Sequence, residues 1–149
     1  MTKLLSELMD LFEVTSKGPS PEELASAPLL QNWRPLLDMS GVVVLWGHVE
    51  NHPLLGNDAI TTSRLFRLDT EQGFARTWSR WYRLGTPFTD LEHDLLQSIS
   101  PETGNRGTVM FELPGYQTVP KSENVQELLS DFKRRMQKLA RQHQDRATD

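Results

Sequence analysis

Apolar residues at the start of the chain recur at helical spacing. Leu4, Leu5, Leu8, Leu11 and Phe12 predict an amphipathic helix over residues 2–15, stopped by Lys17-Gly18-Pro19. Ser20-Pro21-Glu22-Glu23 predicts a second, short helix, with Ser20 as N-cap, Pro21 in the first helical position and Glu23 as the capping-box partner. A third stripe (Leu29, Leu30, Trp33, Leu36, Leu37) keeps helical spacing apart from the interruption at Pro35, so residues 1–40 read as helical. The pattern then changes in kind. Residues 41–47 form a short β-branched run bracketed by Gly41 and Gly47, which predicts a buried central strand.

A loop is expected over residues 48–58, from its His-Pro step and the Gly56-Asn57-Asp58 turn signal. Residues 59–69 and 73–84 then read as two long strands of one hairpin joined by Thr70-Glu71-Gln72. Thr89 and Glu92 suggest a capped helix to about Ile99, residues 100–107 a polar loop, and residues 108–113 a further strand ended by Pro114-Gly115. A long final helix is expected over residues 123–145, capped by Ser122, with the apolar stripe Val125, Leu128, Leu129, Phe132, Met136 and Leu139. No internal repeat breaks the chain. The expected architecture is one α+β domain over residues 1–149: a small antiparallel sheet of three or four strands, packed by N-terminal helices and a long C-terminal helix.

The 149 residues contain no cysteine, which removes disulfide frameworks, thiol nucleophiles and thiolate metal sites together. No run is long and apolar enough for a membrane helix and no stretch reads as a signal peptide, so a cytoplasmic protein is expected. The net charge of −4 conceals an alternation: residues 1–58 sum to −5, 59–85 to +3, 86–120 to −4 and 121–149 to +2. In the last segment Glu123, Glu127 and Asp131 precede Lys133, Arg134, Arg135, Lys138, Arg141 and Arg146, an order that suits a helix dipole. With a pI near 5.6, nucleic-acid binding would have to rest on local patches.

The middle of the chain carries a set of short motifs: Pro28-Leu29-Leu30, Trp33, His52-Pro53-Leu54-Leu55-Gly56, Ile60-Thr61-Thr62-Ser63, and the run Ala75-Arg76-Thr77 through Ser79-Arg80 to Tyr82-Arg83-Leu84-Gly85. Over residues 20–86 it resembles an uncharacterised bacterial family found mostly in alphaproteobacteria, their phages and plasmids. The resemblance carries no activity; it implies a small accessory or mobile-element protein. By gene-context analogy, some proteins of this size inhibit host defence systems.

Enzymatic chemistry finds little footing. His48-Val49-Glu50 has half of a zinc-deaminase motif but lacks the cysteines that complete it. His48 and His52 are four apart, yet they span a strand end and a loop rather than one helical face, so no metal site is expected. Asp90, Glu92 and Asp94 serve a helix start most economically. Leu8-Met9-Asp10-Leu11-Phe12 loosely resembles a replication-clamp docking motif without its leading glutamine and reads better as a core stripe.

The hairpin is the most informative segment. Read as one strand, residues 73–84 place Phe74, Arg76, Trp78, Arg80, Tyr82 and Leu84 on one face and Ala75, Thr77, Ser79, Trp81 and Arg83 on the other, and a three- to five-residue turn puts Arg64 near Trp78 and Leu68 near Phe74. Arginine stems over rings can be plain packing, a protein hot spot, or a platform for single-stranded nucleic acid. The expected partner-binding residues are Arg64, Arg76, Trp78, Arg80, Trp81, Tyr82 and Arg83, with Lys133, Arg134, Arg135, Lys138 and Arg141 as a second basic surface. The expected function is a non-enzymatic macromolecule-binding protein without cofactor. It would act as a phage- or mobile-element inhibitor of a host protein complex (an anti-CRISPR protein, for example), its acidic segments mimicking nucleic-acid charge. The alternative is a small nucleic-acid-binding regulator.

Overall fold

The structure, a computed structural model, describes residues 3–52, 56–88, 115–119 and 122–147. The first two helices form as their sequences direct. Helix α1 (Lys3–Lys17) buries Leu5, Leu8, Phe12 and Thr15 along one face, and Gly18 ends it with φ 82°, a conformation open to glycine without a Cβ penalty. Helix α2 (Pro21–Ser26) has its full capping box: Ser20 Oγ accepts from the Glu23 N–H at 3.1 Å, and the Ser20 N–H donates to the Glu23 carboxylate at 3.0 Å. The long C-terminal helix, α3 (Ser122–Ala147), also forms.

The third expected helix is instead a strand, β1 (Leu29–Asp38), paired antiparallel with β2 (Val43–His52). A β-bulge explains the misleading spacing. Leu30 lies opposite Val49 and Leu37 opposite Val43, but the register shifts between Gln31 and Arg34, leaving Asn32 and Trp33 together across from Gly47. Asn32 takes φ 55°, a region asparagine tolerates. The extra residue brings Leu30, Trp33 and Leu37 to one face at intervals of three and four, which imitates a helix. Gly47 is required at the bulge, because a Cβ there would sit 2.8 Å from Leu30 Cγ and 2.9 Å from the Gln31 carbonyl. Pro35 fits a strand because β1 changes partners around it. Leu29 and Leu30 pair in parallel with β6 (Trp81–Leu84), and Leu36–Asp38 pair with β7 (Tyr116–Thr118).

Both expected long strands are broken. Residues 59–69 divide into β3 (Gly56–Thr61) and β4 (Leu65–Asp69). Residues 73–84 divide into β5 (Phe74–Thr77) and β6, separated by a tight turn in which the Thr77 N–H donates to the Arg80 carbonyl at 2.9 Å. The loop expected over residues 48–58 is largely strand, since β2 runs to His52 and β3 starts at Gly56. The helix and strand expected over residues 89–113 lie outside the described residues.

Among the described residues the result is a seven-stranded mixed sheet, larger than expected, in the order β3-β2-β1-β6-β5-β4 with β7 also on β1. In a flat sheet β3 and β4, at opposite ends of this order, would stand about 24 Å apart. Yet only residues 62–64 connect them, a link that reaches at most about 14 Å between the flanking residues. The sheet therefore curls into a partly open barrel, with β3 and β4 as its two edges. The link prolongs the ladder on each side: the Thr62 N–H donates to the Leu45 carbonyl of β2 at 2.8 Å, and the Trp78 N–H to the Arg64 carbonyl at 2.8 Å.

The barrel interior is the main core: Leu30, Val43, Leu45, Val49, Leu65, Leu68, Ala75 and Tyr82 from the strands, with Val119 and the first turns of α3 through Val125, Leu128 and Leu129. A second cluster lies outside, where α1 packs against α3 over Phe66; Phe12, Phe66 and Phe132 meet with ring centroids 5.4–6.1 Å apart. A third joins α2 to the outer face of β5–β6 through Leu24, Ala27, Phe74 and Trp81.

Candidate macromolecule-binding face

The turn between β5 and β6 disperses the arginines and rings that a single strand would have aligned. Phe74 pairs with Arg83, Ala75 with Tyr82 and Arg76 with Trp81. Tyr82 therefore points into the barrel, 3% exposed, and burial raises its phenol above the ordinary value, with Arg80 opposing. Trp81 is 5% exposed, edge-on to Phe74 at 5.6 Å beneath α2. These two rings are core and cannot offer the open stacking platform expected of them.

Arg83 is likewise committed to the fold, its Nε donating to the Ala27 carbonyl at 2.9 Å. Arg76 lies over the Trp81 ring at 5.3 Å and donates from Nε to the Thr77 carbonyl. Burial lowers its pKa, and the nearby Glu23 carboxylate works against that shift. Arg80 is part of the turn, close enough to His52 and Tyr82 to bias both electrostatically.

Trp78 and Arg64 remain at the surface. Trp78 sits in the turn, 36% exposed, its ring 5.7 Å from Phe66. The expected approach of Arg64 to Trp78 is present as their backbone hydrogen bond, and Leu68 pairs with Ala75, one position from Phe74. The turn sets that pairing, with Asp69 opposite Phe74, and a bulge between Leu65 and Arg67 then sends Leu65 and Leu68 inward but Phe66 outward.

Arg64 is the residue that joins the two expected surfaces. Its guanidinium lies 3.9 Å from the centroid of Phe132 on α3. Burial lowers its pKa; Asp38 opposes the shift and Arg135 adds to it. Arginine still keeps its charge at physiological pH. The hairpin turn and the basic half of α3 are therefore one continuous face, running from Trp78 through Arg64 to Arg135. No periodicity signals the Arg64–Phe132 contact, because residues 64 and 132 meet only through the barrel's outer wall.

A family model matches residues 5–148 of the chain. The protein belongs to DUF6634, a family of unknown function. An uncharacterised family is what the motifs over residues 20–86 suggested, and the match also takes in α1 and α3. No curated protein and no solved structure matches the chain.

In this DUF6634 chain the basic residues of α3 have distinct settings. Lys133 turns toward α1, its Nζ 5.9 Å from the Phe12 ring centroid. Arg134, Arg135, Lys138 and Arg141 are exposed, and Arg134 forms an ion pair with Asp131. Leu139, expected in the apolar stripe, is 40% exposed, whereas Ala140 takes its place in the contact with α1. His48 and His52 do not converge. A bulge between Val49 and His52, with Asn51 at φ 63°, separates them. His48 is exposed beside Trp46 and Asn32, while His52 is buried 6.3 Å from the Tyr82 ring. Among the described residues no three His, Asp or Glu side chains group as a metal site, and no helix is long and apolar enough to cross a membrane.

Proposed function

We propose that this protein is a non-enzymatic binding protein that acts by occupying a surface of another macromolecule with the Trp78–Arg64–α3 face. The observation that carries this reading is Arg64, stacked on Phe132 and bonded through its backbone to Trp78, which makes one surface of two basic segments. A half-exposed tryptophan beside clustered arginines is the composition of a binding hot spot. The divergence of His48 and His52 favours binding over metal-assisted hydrolysis.

Affinity capture of the tagged protein from its host, with and without nuclease, tests the reading against the Trp78→Ala and Arg135→Glu variants. Loss of the captured macromolecule with either variant is the expected result. A partner retained equally by both overturns it. A protein complex that survives nuclease fits the narrower role of a mobile-element inhibitor acting on a host assembly, a CRISPR effector among the candidates.

A further inference from the structure

We infer that the partner of this face is a nucleic-acid duplex, held through its phosphates by the outward stripe of α3; the inference rests on the binding role proposed above. Residues 133–141 hold five cations in nine positions, and no acid occurs from Phe132 to Gln144. Arg134, Lys138 and Arg141 follow one another at intervals of four and three, directly opposite the stripe of Val125, Phe132, Met136 and Ala140 that packs inward. Arg135 flanks them on the side of Arg64 and Trp78.

From Arg134 to Arg141 the helix rises about 10 Å, against which one strand of a duplex presents about three phosphates. The charge density of the stripe thus matches a phosphate backbone. Leu139 is the exposed large apolar side chain of α3 among the described residues. The buried Trp81 and Tyr82 also remove the ring platform that single-strand recognition needs. Residues 1–120 carry a net −6, including the exposed Glu7, Asp10 and Glu13 of α1, while on α3 itself the exposed Glu127 and Asp131 precede the cations and Asp131 pairs with Arg134.

The test is fluorescence anisotropy of a labelled DNA duplex of about 20 base pairs titrated with the full chain at about 50 and 200 mM salt. Four or five phosphate contacts predict saturable binding that weakens by roughly a hundredfold or more between these salts. Arg134→Gln/Lys138→Gln/Arg141→Gln should reduce the slope of log affinity against log salt by about 2 to 3 with an unchanged circular dichroism spectrum. Lys17→Gln, at the exposed C-terminal end of α1, should leave the slope unchanged. Absence of saturable binding at the lower salt overturns the inference, as does a triple variant that binds like the parent. Poly-glutamate bound as tightly as the duplex also overturns it, while leaving the broader binding role standing.

Discussion

Tyr82 and Trp78 lie four residues apart in one hairpin and have opposite fates. Tyr82 fills the barrel interior, whereas Trp78 rests one side of its ring on Phe66 and shows the rest to solvent. Tyr82→Ala should therefore cost about 3–5 kcal/mol, as large aromatic deletions in cores do. Trp78→Ala should cost far less, and urea unfolding separates the two. Partner capture should rank them the other way among variants that remain folded. His52 supplies a pH dependence. Burial, with a smaller push from Arg80, holds its pKa below the ordinary 6.5. The folded state thus prefers the neutral ring, so the stability it contributes is present above pH 6.5 and declines as pH falls toward the folded value. The urea midpoint should drop between about pH 7.5 and 5.5, and His52→Gln should flatten that drop. An unchanged slope in the variant would assign the dependence to other groups.

At the level of elements, bulges decide which side chains face inward. β1, β2 and β4 each carry one, and each reverses the inside–outside alternation that a regular strand would keep. The bulge in β1 depends on Gly47, where even a methyl group would press on Leu30 and the Gln31 backbone. Gly47→Ala should destabilise by about 1–3 kcal/mol, the usual cost of overpacking, despite alanine's lack of polar atoms. Thermal unfolding measures it, and a neutral result would mean that Leu30 and Gln31 can move aside. The α2 capping box was legible from Ser20-Pro21-Glu22-Glu23 because its contacts are local. The strand at β1 was not, because a bulged strand and an amphipathic helix can share the same apolar spacing and only the partner strand distinguishes them.

For the whole molecule, the decisive feature is how far the sheet curls toward closure. Residues 62–64 form no strand, yet they carry the chain from one end of the sheet order to the other. Their hydrogen bonds join β2 to the β3–β4 link and that link to the β5–β6 turn. The amide protons of Thr62 and Trp78 should consequently exchange only through global opening, with protection equal to that of the interior strands. Fast local exchange at Thr62 would show instead that the barrel opens along this link. The curl also brings Arg64 to the wall on which α3 lies, and so builds the candidate face.

The sequence by itself determined the three described helices, the α2 capping box, the α+β class and the location of the basic segments. Those features follow from periodicity and from groups within four residues of each other. Tertiary structure alone decided that 29–38 is a strand, that the two long strands break, that the sheet curls and includes the parallel β1–β6 pair, and that Trp81 and Tyr82 are core while Trp78 and Arg64 are surface. Each of those outcomes depends on pairing between segments far apart in the chain. Alternation along a single strand records only that a residue has two faces to choose from. Which face is inside is set by the register and bulges of its neighbours.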